Sequence, residues 1–271
     1  MSDLKFSVSM CVYGGDNARF FKEALESVFN QTRMPDEVVL VVDGPVGQDI
    51  DDVIFEYESC FGMKVYRLAE NMGHGNARRL GFSKCSYDYV AICDADDVND
   101  LTRFEKQLEE FEKNPALSAI SSSCYHFVDD VSNPINEEKL PLFDADIKRF
   151  LKTRCPLCQP SVMLKKEEVE KAGGYLDWYH CEDYYLWVRM HMNGAVFANL
   201  EEPLVNMRMS QSQMKRRGGL KYFLSMKKLY GFMLKNNVIG IGTYLFNLTS
   251  RFIVQILLPA NVRAYIRKKI Q

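Results

Sequence analysis

The apolar run Tyr89-Val90-Ala91-Ile92-Cys93 is followed at once by Asp94, Asp96 and Asp97, three carboxylates within four positions. Carboxylates a few ångströms apart repel, and at least one is pushed toward its protonated form unless a cation joins them. Mg2+ and Mn2+ take oxygen ligands, commonly one or two carboxylates with water and phosphate completing the shell. Asp94-Ala95-Asp96 therefore reads as the seat of a divalent metal that holds a diphosphate. The bland alternative is a solvated acidic turn ahead of a helix from Leu101. A second acidic pair, Glu182-Asp183, opens a helical stretch, where first-turn acids are favoured by the helix dipole in any case. Cys155 and Cys158 form one CxxC that His180 and Cys181 could complete as a zinc site, but the spacing matches no zinc module and ordinary reduced thiols are expected. The four histidines, at 74, 126, 180 and 191, share no ligand spacing and receive no role.

The elements that must position these acids follow from hydrophobic periodicity. Phe6 to Val12 reads as a strand and Asn17 to Gln31 as an amphipathic helix with Phe20, Phe21, Ala24, Leu25, Val28 and Phe29 on one face, capped by Asp16 or Asn17. The β-branched run from Glu37 is a buried strand ending at Asp43-Gly44-Pro45. A helix over Asp51 to Phe61, the strand KVYRL, a helix from about Gly75 to Lys84 and the strand YVAIC come next. Alternation of helices with uninterrupted apolar strands indicates a mostly parallel, doubly wound α/β sheet. Ligands of such sheets bind at the carboxyl ends of the strands, where Tyr13, Asp43, Asn71 and Asp94 to Asp97 all fall. Gly73 and Gly75 are no dinucleotide fingerprint, because Arg78 occupies the third glycine position; they ease a tight entry into the helix. Beyond a strand at Leu117 to Cys124, Phe127 to Cys158 reads as irregular. The strand SVMLK, helices near Lys166 to Ala172 and Glu182 to Asn193, and two closing strands, AVFANL and PLVNMRM, complete the unit.

Charge divides the chain. Of 271 residues, 1–202 hold 21 Lys and Arg and all 36 Asp and Glu, whereas 203–271 hold 13 Lys and Arg and no acid, so the net charge of -2 conceals two segments with opposite partners. A hydrophobic content of 47% excludes a disordered chain. In the tail Lys221, Lys228 and Lys235 recur every seven residues beside a broad apolar face. Val238 to Leu258 is largely apolar, but Arg251 lies inside it and Asn247, Arg251 and Gln255 align at i, i+4 and i+8. A charge in mid-span costs about 2.5–3.5 kcal/mol, so a helix lying in a membrane interface is expected rather than one that crosses it. The competing use is a packed subdomain or a homodimer interface. The N-terminus lacks the basic-then-apolar pattern of a secretion signal, and a reducing cytosol is expected. No nucleic-acid partner is expected.

Taken together, "FSVSMCVYGG", "FFKEALESVFNQTRMPDEVVLVVDGP", "ENMGHGNARRLGF", "YVAICDADD" and "GGY…CEDYYLWVRM" resemble family 2 glycosyltransferases, inverting enzymes of the GT-A fold. The tract DEVVLVVDGP is most similar to amylovoran-type galactosyltransferases of bacterial exopolysaccharide and O-antigen assembly. The resemblance covers about residues 6–208, which implies a nucleotide-diphospho-sugar transferase domain over 1–208 and a basic amphipathic helical tail over 209–271. It implies that Val12 and Tyr13 flank a uracil and that Asp43 bonds to uracil or ribose, although Asp43-Gly-Pro replaces the family's common Asp-Asp-Gly-Ser. Asn71 to Arg78 would border the nucleotide, with Arg78 on phosphate or ribose. Asp94 and Ala95 would contact the ribose or donor sugar, Asp96 with Asp94 would hold Mn2+ or Mg2+, and Asp97 would cap the next helix. Glu182 and Asp183 would be the acceptor-side acids, Asp183 the catalytic base. The implied partners are a UDP-sugar, a polyprenyl-diphosphate-linked saccharide and the anionic inner face of a bacterial cytoplasmic membrane. Two alternatives use the same residues: the D-x-D-x-V stretch is also similar to the nucleophile motif of haloacid-dehalogenase-type phosphatases, and a degenerate transferase fold would serve as a nucleotide-binding scaffold.

Overall fold

A computed structural model describes residues 2–209 and 218–257. Strands β1 (Phe6–Tyr13), β2 (Glu37–Asp43), β3 (Lys64–Arg67) and β4 (Tyr89–Asp94) are parallel neighbours in the order β3-β2-β1-β4. Every residue of β2 is buried, which explains its uninterrupted apolar sequence: helices cover both faces. The register sets Tyr13 beside Asp43 and Cys11 beside Asp94, so the three strands end at one edge. Helix α1 (Ala18–Phe29) buries Phe21, Ala24, Leu25 and Val28, and the Asn17 side chain caps it by accepting from the Arg19 and Phe20 N–H groups. Helices α2 (Gln48–Phe61) and α3 (His74–Lys84) complete the alternation. Gly44, at φ +86°, makes the turn after β2, and a Cβ there would lie 2.6 Å from the Asn71 nitrogen.

The sheet continues β4-β8-β6-β9-β5, with β7 on β6. Here β5 is Val98–Asn99, β6 Ala119–Phe127, β7 Asn136–Glu138, β8 Met163–Lys165 and β9 Phe197–Arg208. Helices α4 (Arg103–Lys113), α5 (Asp144–Leu151), α6 (Lys166–Lys171) and α7 (Glu182–Met192) flank it. Two expectations are corrected. The stretch taken as irregular contains β7 and α5, and the two closing strands are one: Glu201, Glu202 and Pro203 lie in β9 where its register against β6 shifts between Ser122 and Cys124. The fully buried Arg103 braces β4 from behind, donating to the Ile92 carbonyl at 2.9 Å, two residues before Asp94.

The thiol expectation also changes. Cys124 and Cys158 are paired as a disulfide within a small cluster that includes Leu140 and Val205, so Cys158 is no partner for Cys155. Six other cysteines are free.

Helix α8 (Gly219–Lys235) buries Met226, Leu229, Tyr230 and Met233 in the same core as Leu186 and Trp187 of α7. At about 1.5–3 kcal/mol per buried large apolar side chain, this seats α8 firmly on the domain. Helix α9 (Ile241–Phe252), extended by a π turn over Ile253–Leu257, is turned the other way round. Its polar ladder faces the protein: Asn247 is 2% exposed and donates to the Lys152 carbonyl at 2.9 Å, and Arg251 Nε donates to Tyr230 Oη at 2.7 Å. Tyr230 Oη in turn donates to the Thr153 carbonyl and Tyr184 Oη to that of Leu151, so three successive carbonyls at the end of α5 are satisfied by three helices. Outward stand Ile241, Leu245, Phe246, Phe252, Ile253 and Val254, with Phe246 64% exposed. Among the described residues, no helix is long and apolar enough to cross a membrane. The remainder of the expected basic tail, 210–217 and 258–271, lies outside the described residues.

Candidate functional site

The site is assembled at the carboxyl edge of β1, β2 and β4, closed by the first turn of α7. Asp43 ends β2 with a nearly buried carboxylate that accepts from the Met72 N–H at 2.7 Å and the Gly73 N–H at 3.1 Å. Asn71 Nδ2 returns a bond to the Asp43 carbonyl at 3.2 Å, so Asp43 and Asn71 shape the loop into α3. Gly73, at φ +85°, makes that entry, as expected. At Gly75 a Cβ would lie 3.2 Å from the Asp177 Cα, which shows how closely the start of α3 approaches the strap leading to Glu182.

Arg78 rises from α3 beneath the acids, 1% exposed. Its Nε donates to His74 Nε2 at 2.7 Å, its Nη2 pairs with Asp94 Oδ1, and its buried Nη1 has no hydrogen-bond partner. Burial opposes this charge, but Asp94 and other nearby acids, Glu182 among them, hold the guanidinium above its ordinary value. Arg78 therefore stays cationic with one donor unspent. His74, which the sequence left without a role, fixes Arg78 by accepting its Nε proton, and so carries its own ring proton on Nδ1 when neutral.

Burial and then the charge of Asp94 push the Asp96 carboxyl up to about 7, with Asp16 adding to the rise. Asp97 is raised well above the carboxylate range, again first by burial and next by Asp96. Asp97 does not cap the next helix: it accepts from the Arg208 N–H of β9 at 2.8 Å, because β5 turns the chain toward that strand. Ala95 is buried between the acids, and the Val12 side chain lies in the core, leaving only its backbone to border a ligand. Tyr13 is 40% exposed at the rim.

Two partners were missed in the sequence. Asp16 closes a turn on Tyr13, accepting from its N–H at 3.0 Å. Arg208 donates to the Asp96 carbonyl at 3.1 Å, reaches Glu23, and stacks on Phe20 at 3.8 Å. An Arg more than a hundred positions from the acids carries no local signal, and Asp16 shows itself only through its turn with Tyr13. A cleft of about 570 Å3 lies behind Arg208, between α1 and residues 129–131; its lining includes none of Asp94, Asp96, Glu182 or Asp183.

Glu182 and Asp183 open α7. Burial, then Asp183, pushes the Glu182 carboxyl up to about 7, while Arg78 pulls it down and Asp94 pushes it up. That mutual influence places the α7 acids within electrostatic reach of the Arg78–Asp94 pair. Asp183 Oδ1 accepts from the Tyr184 N–H at 2.7 Å, and Oδ2 lies 3.7 Å from the Cys155 sulfur.

The donor set suits a divalent cation in its chemistry: hard carboxylate oxygens of Asp94 and Asp96, the latter pushed up to about 7 by burial and then by the charge of Asp94. Among the described residues no three His, Cys, Asp or Glu side chains gather at one point, which also removes the zinc reading. A cation held by two carboxylates is completed by phosphate and water.

The glycosyl transferase family 2 model matches residues 7–173, including the stretch ahead of Asp94 that a phosphatase reading leaves unused. An Escherichia coli UDP-Gal:alpha-D-GlcNAc-diphosphoundecaprenol beta-1,3-galactosyltransferase is 36% identical over 98% of this chain and 96% of its own length. The amylovoran biosynthesis glycosyltransferase AmsE of Erwinia amylovora is 30% identical over 97% of this chain and 98% of its own. Among solved structures, S. aureus TarS in complex with UDP-GlcNAc superposes with a TM-score of 0.70 at 15% identity, over 92% of this chain and 73% of that one, a likeness of fold.

Proposed function

The chain belongs to glycosyl transferase family 2, and from that premise we propose that it transfers a hexose from a UDP-sugar to a hydroxyl of a polyprenyl-diphosphate-linked saccharide, with inversion at the anomeric carbon. Galactose is the first candidate, ahead of GalNAc, glucose and GlcNAc, and bacterial surface polysaccharide is the product class. One observation carries the reading: helix α3, whose Arg78 pairs with Asp94 at the nucleotide edge, packs so closely on the strap into Glu182-Asp183 that a Cβ on Gly75 would lie 3.2 Å from the Asp177 Cα.

In this reading Tyr13 and the Val12 backbone border the uracil, and Asp43 and Asn71 hold the loop beside it. The unspent Nη1 of Arg78 donates to ribose or phosphate. Asp94 and Asp96 would hold Mn2+ or Mg2+, which when bound supplies compensation for charge growing on the departing diphosphate. Asp183 accepts the acceptor hydroxyl proton as that oxygen attacks the anomeric carbon and the sugar–phosphate bond breaks. Such a base contributes about 10²–10⁴-fold. Glu182, pushed up to about 7 by burial and then by Asp183, stands beside that base as the second acceptor-side acid. One displacement inverts the centre and needs no covalent enzyme intermediate.

Residues 1–208 form the transferase unit in this account, and within the extension 209–271 helices α8 and α9 pack on it and meet the bilayer. The outward apolar row of α9 and the acid-free, lysine-bearing α8 support peripheral binding to the anionic inner face of the cytoplasmic membrane, at about 1 kcal/mol per basic residue near the surface. A homodimer through α9 is the second use of the same face, and sedimentation without lipid distinguishes it. The functional test is release of UDP from a panel of UDP-sugars, with GlcNAc on a lipid diphosphate as acceptor and with or without Mn2+. Acceptor-dependent UDP release from one sugar supports the reading; none from any sugar overturns it.

A further inference from the structure

Lys221 and Lys228 of α8 pair with no carboxylate among the described residues, and 203–271 contain no acid to offer one. Each ammonium instead lies over an aromatic ring, Lys221 Nζ 4.0 Å from the Tyr179 centroid and Lys228 Nζ 4.3 Å from that of Trp178. A ring face steadies a cation without consuming its N–H donors, which remain directed at whatever anion approaches.

Both rings belong to the strap that runs directly into Glu182-Asp183. Ser225, between the two lysines on the same helical face, fastens it: Ser225 Oγ donates to the Tyr179 carbonyl at 2.7 Å, and Trp178 Nε1 donates to the Ser225 carbonyl at 3.4 Å. Trp178 also packs against Tyr185 of α7, the tilted rings 4.2 Å apart between centroids. Four residues at no more than about 3.6 Å each keep the Cα of Tyr179 within about 14 Å of that of Asp183. On α8, Leu220 and Leu224 stand exposed beside Lys221. Near Asp183 the protein thus brings together a carboxylate, two ring-mounted cations and, beside Lys221, exposed apolar side chains.

We propose that Lys221 and Lys228, over Tyr179 and Trp178, form the subsite for the diphosphate that joins the acceptor's saccharide to its hydrocarbon. The proposal rests on the lipid-linked acceptor of the preceding subsection and gives that substrate's anionic middle a location. The three surface chemistries correspond to the three parts of such a molecule, and an anion of charge about -2 is what two ammonium groups without a carboxylate partner would take. A phospholipid headgroup offers the same chemistry, so the two sources are separated by experiment.

Lys221→Gln and Lys228→Gln, singly and together, alter exposed side chains. With the donor site filled by saturating UDP, binding of decyl diphosphate is followed by titration calorimetry, and the double variant is expected to bind at least 10-fold more weakly than wild type. In transfer assays, KM for a GlcNAc-diphosphate-decane acceptor should rise at least 10-fold while KM for decyl GlcNAc stays unchanged. Equal decyl diphosphate binding by wild type and double variant overturns the subsite, as does an equal KM change on both acceptors. Reduced flotation with phosphatidylglycerol vesicles and an unaltered KM ratio assigns the lysines to headgroups and also overturns it. If the variants lose decyl diphosphate but wild type transfers to neither acceptor, the anion subsite stands and the acceptor reading falls.

Discussion

Replacing Asp183 by Asn removes one of two adjacent carboxylates from the first turn of α7 and leaves the rest of the site in place. Glu182 is raised from an ordinary 4.5 to about 7, which at 1.36 kcal/mol per pH unit is a burden of at most about 3.4 kcal/mol on the folded protein. Burial is the larger cause and Asp183 the second, so the substitution relieves a minority of it, about 1 kcal/mol. Against this, losing a first-turn anion costs about 0.3–1 kcal/mol of dipole interaction. Because Glu182 is raised, the stability it contributes is present below pH 4.5 and lost as pH rises through 7. The variant should therefore lose less stability than wild type between pH 5 and pH 9, by about 1 kcal/mol in urea unfolding without divalent cation. Transfer should fall at least 10²-fold with UDP affinity unchanged in the same preparation. An active Asn variant removes Asp183 from the base role. A pH dependence identical to wild type refutes the coupling between the two acids.

Asp96→Ala should abolish the part of UDP affinity that depends on Mn2+, and identical calorimetric titrations with and without metal in wild type would remove Asp96 from the metal. Arg251→Met should cost about 1.5–3 kcal/mol in urea unfolding, because Tyr230 and the carbonyl-binding knot at the end of α5 lose a buried hydrogen-bonded partner; a variant as stable as wild type would show that the knot adds nothing. Phe246→Ser, in the outward row of α9, should leave unfolding unchanged within about 0.5 kcal/mol yet reduce flotation with anionic liposomes, whereas undiminished flotation would place the membrane contact elsewhere.

The parallel half of the sheet was legible because β1, β2 and β4 are apolar at almost every position, which leaves no other element to build from them. Asn17 announced the start of α1 by its type and place. Helix α5 was not legible, since only Ile147 and Leu151 of its eight residues are buried, too few to set a period. The break between the expected closing strands came from Glu201, Glu202 and Pro203, which a shift of register accommodates without ending β9. In the tail the alignment of Asn247, Arg251 and Gln255 was visible, but periodicity gives a stripe without saying which side of it the protein takes. The free carbonyls of Leu151, Lys152 and Thr153 decide that, and they lie about a hundred residues away in the chain. The acids of the site were legible by type and spacing. Of their supports, His74 under Arg78 is an i, i+4 neighbour on α3, visible as a spacing but not as a bond, whereas Arg208 behind Asp96 exists only through a tertiary contact.

The central claim is that the buried aspartates at the end of β4 are tolerable because a divalent cation and a nucleotide diphosphate complete them. Titration of UDP into the protein at pH 7, with and without saturating Mn2+, measures it directly. Binding should strengthen at least 10-fold with the metal, and it should release protons as Asp96, held near 7 without its cation, becomes fully ionised. Equal affinity in both titrations, with no change in bound protons, would contradict the account.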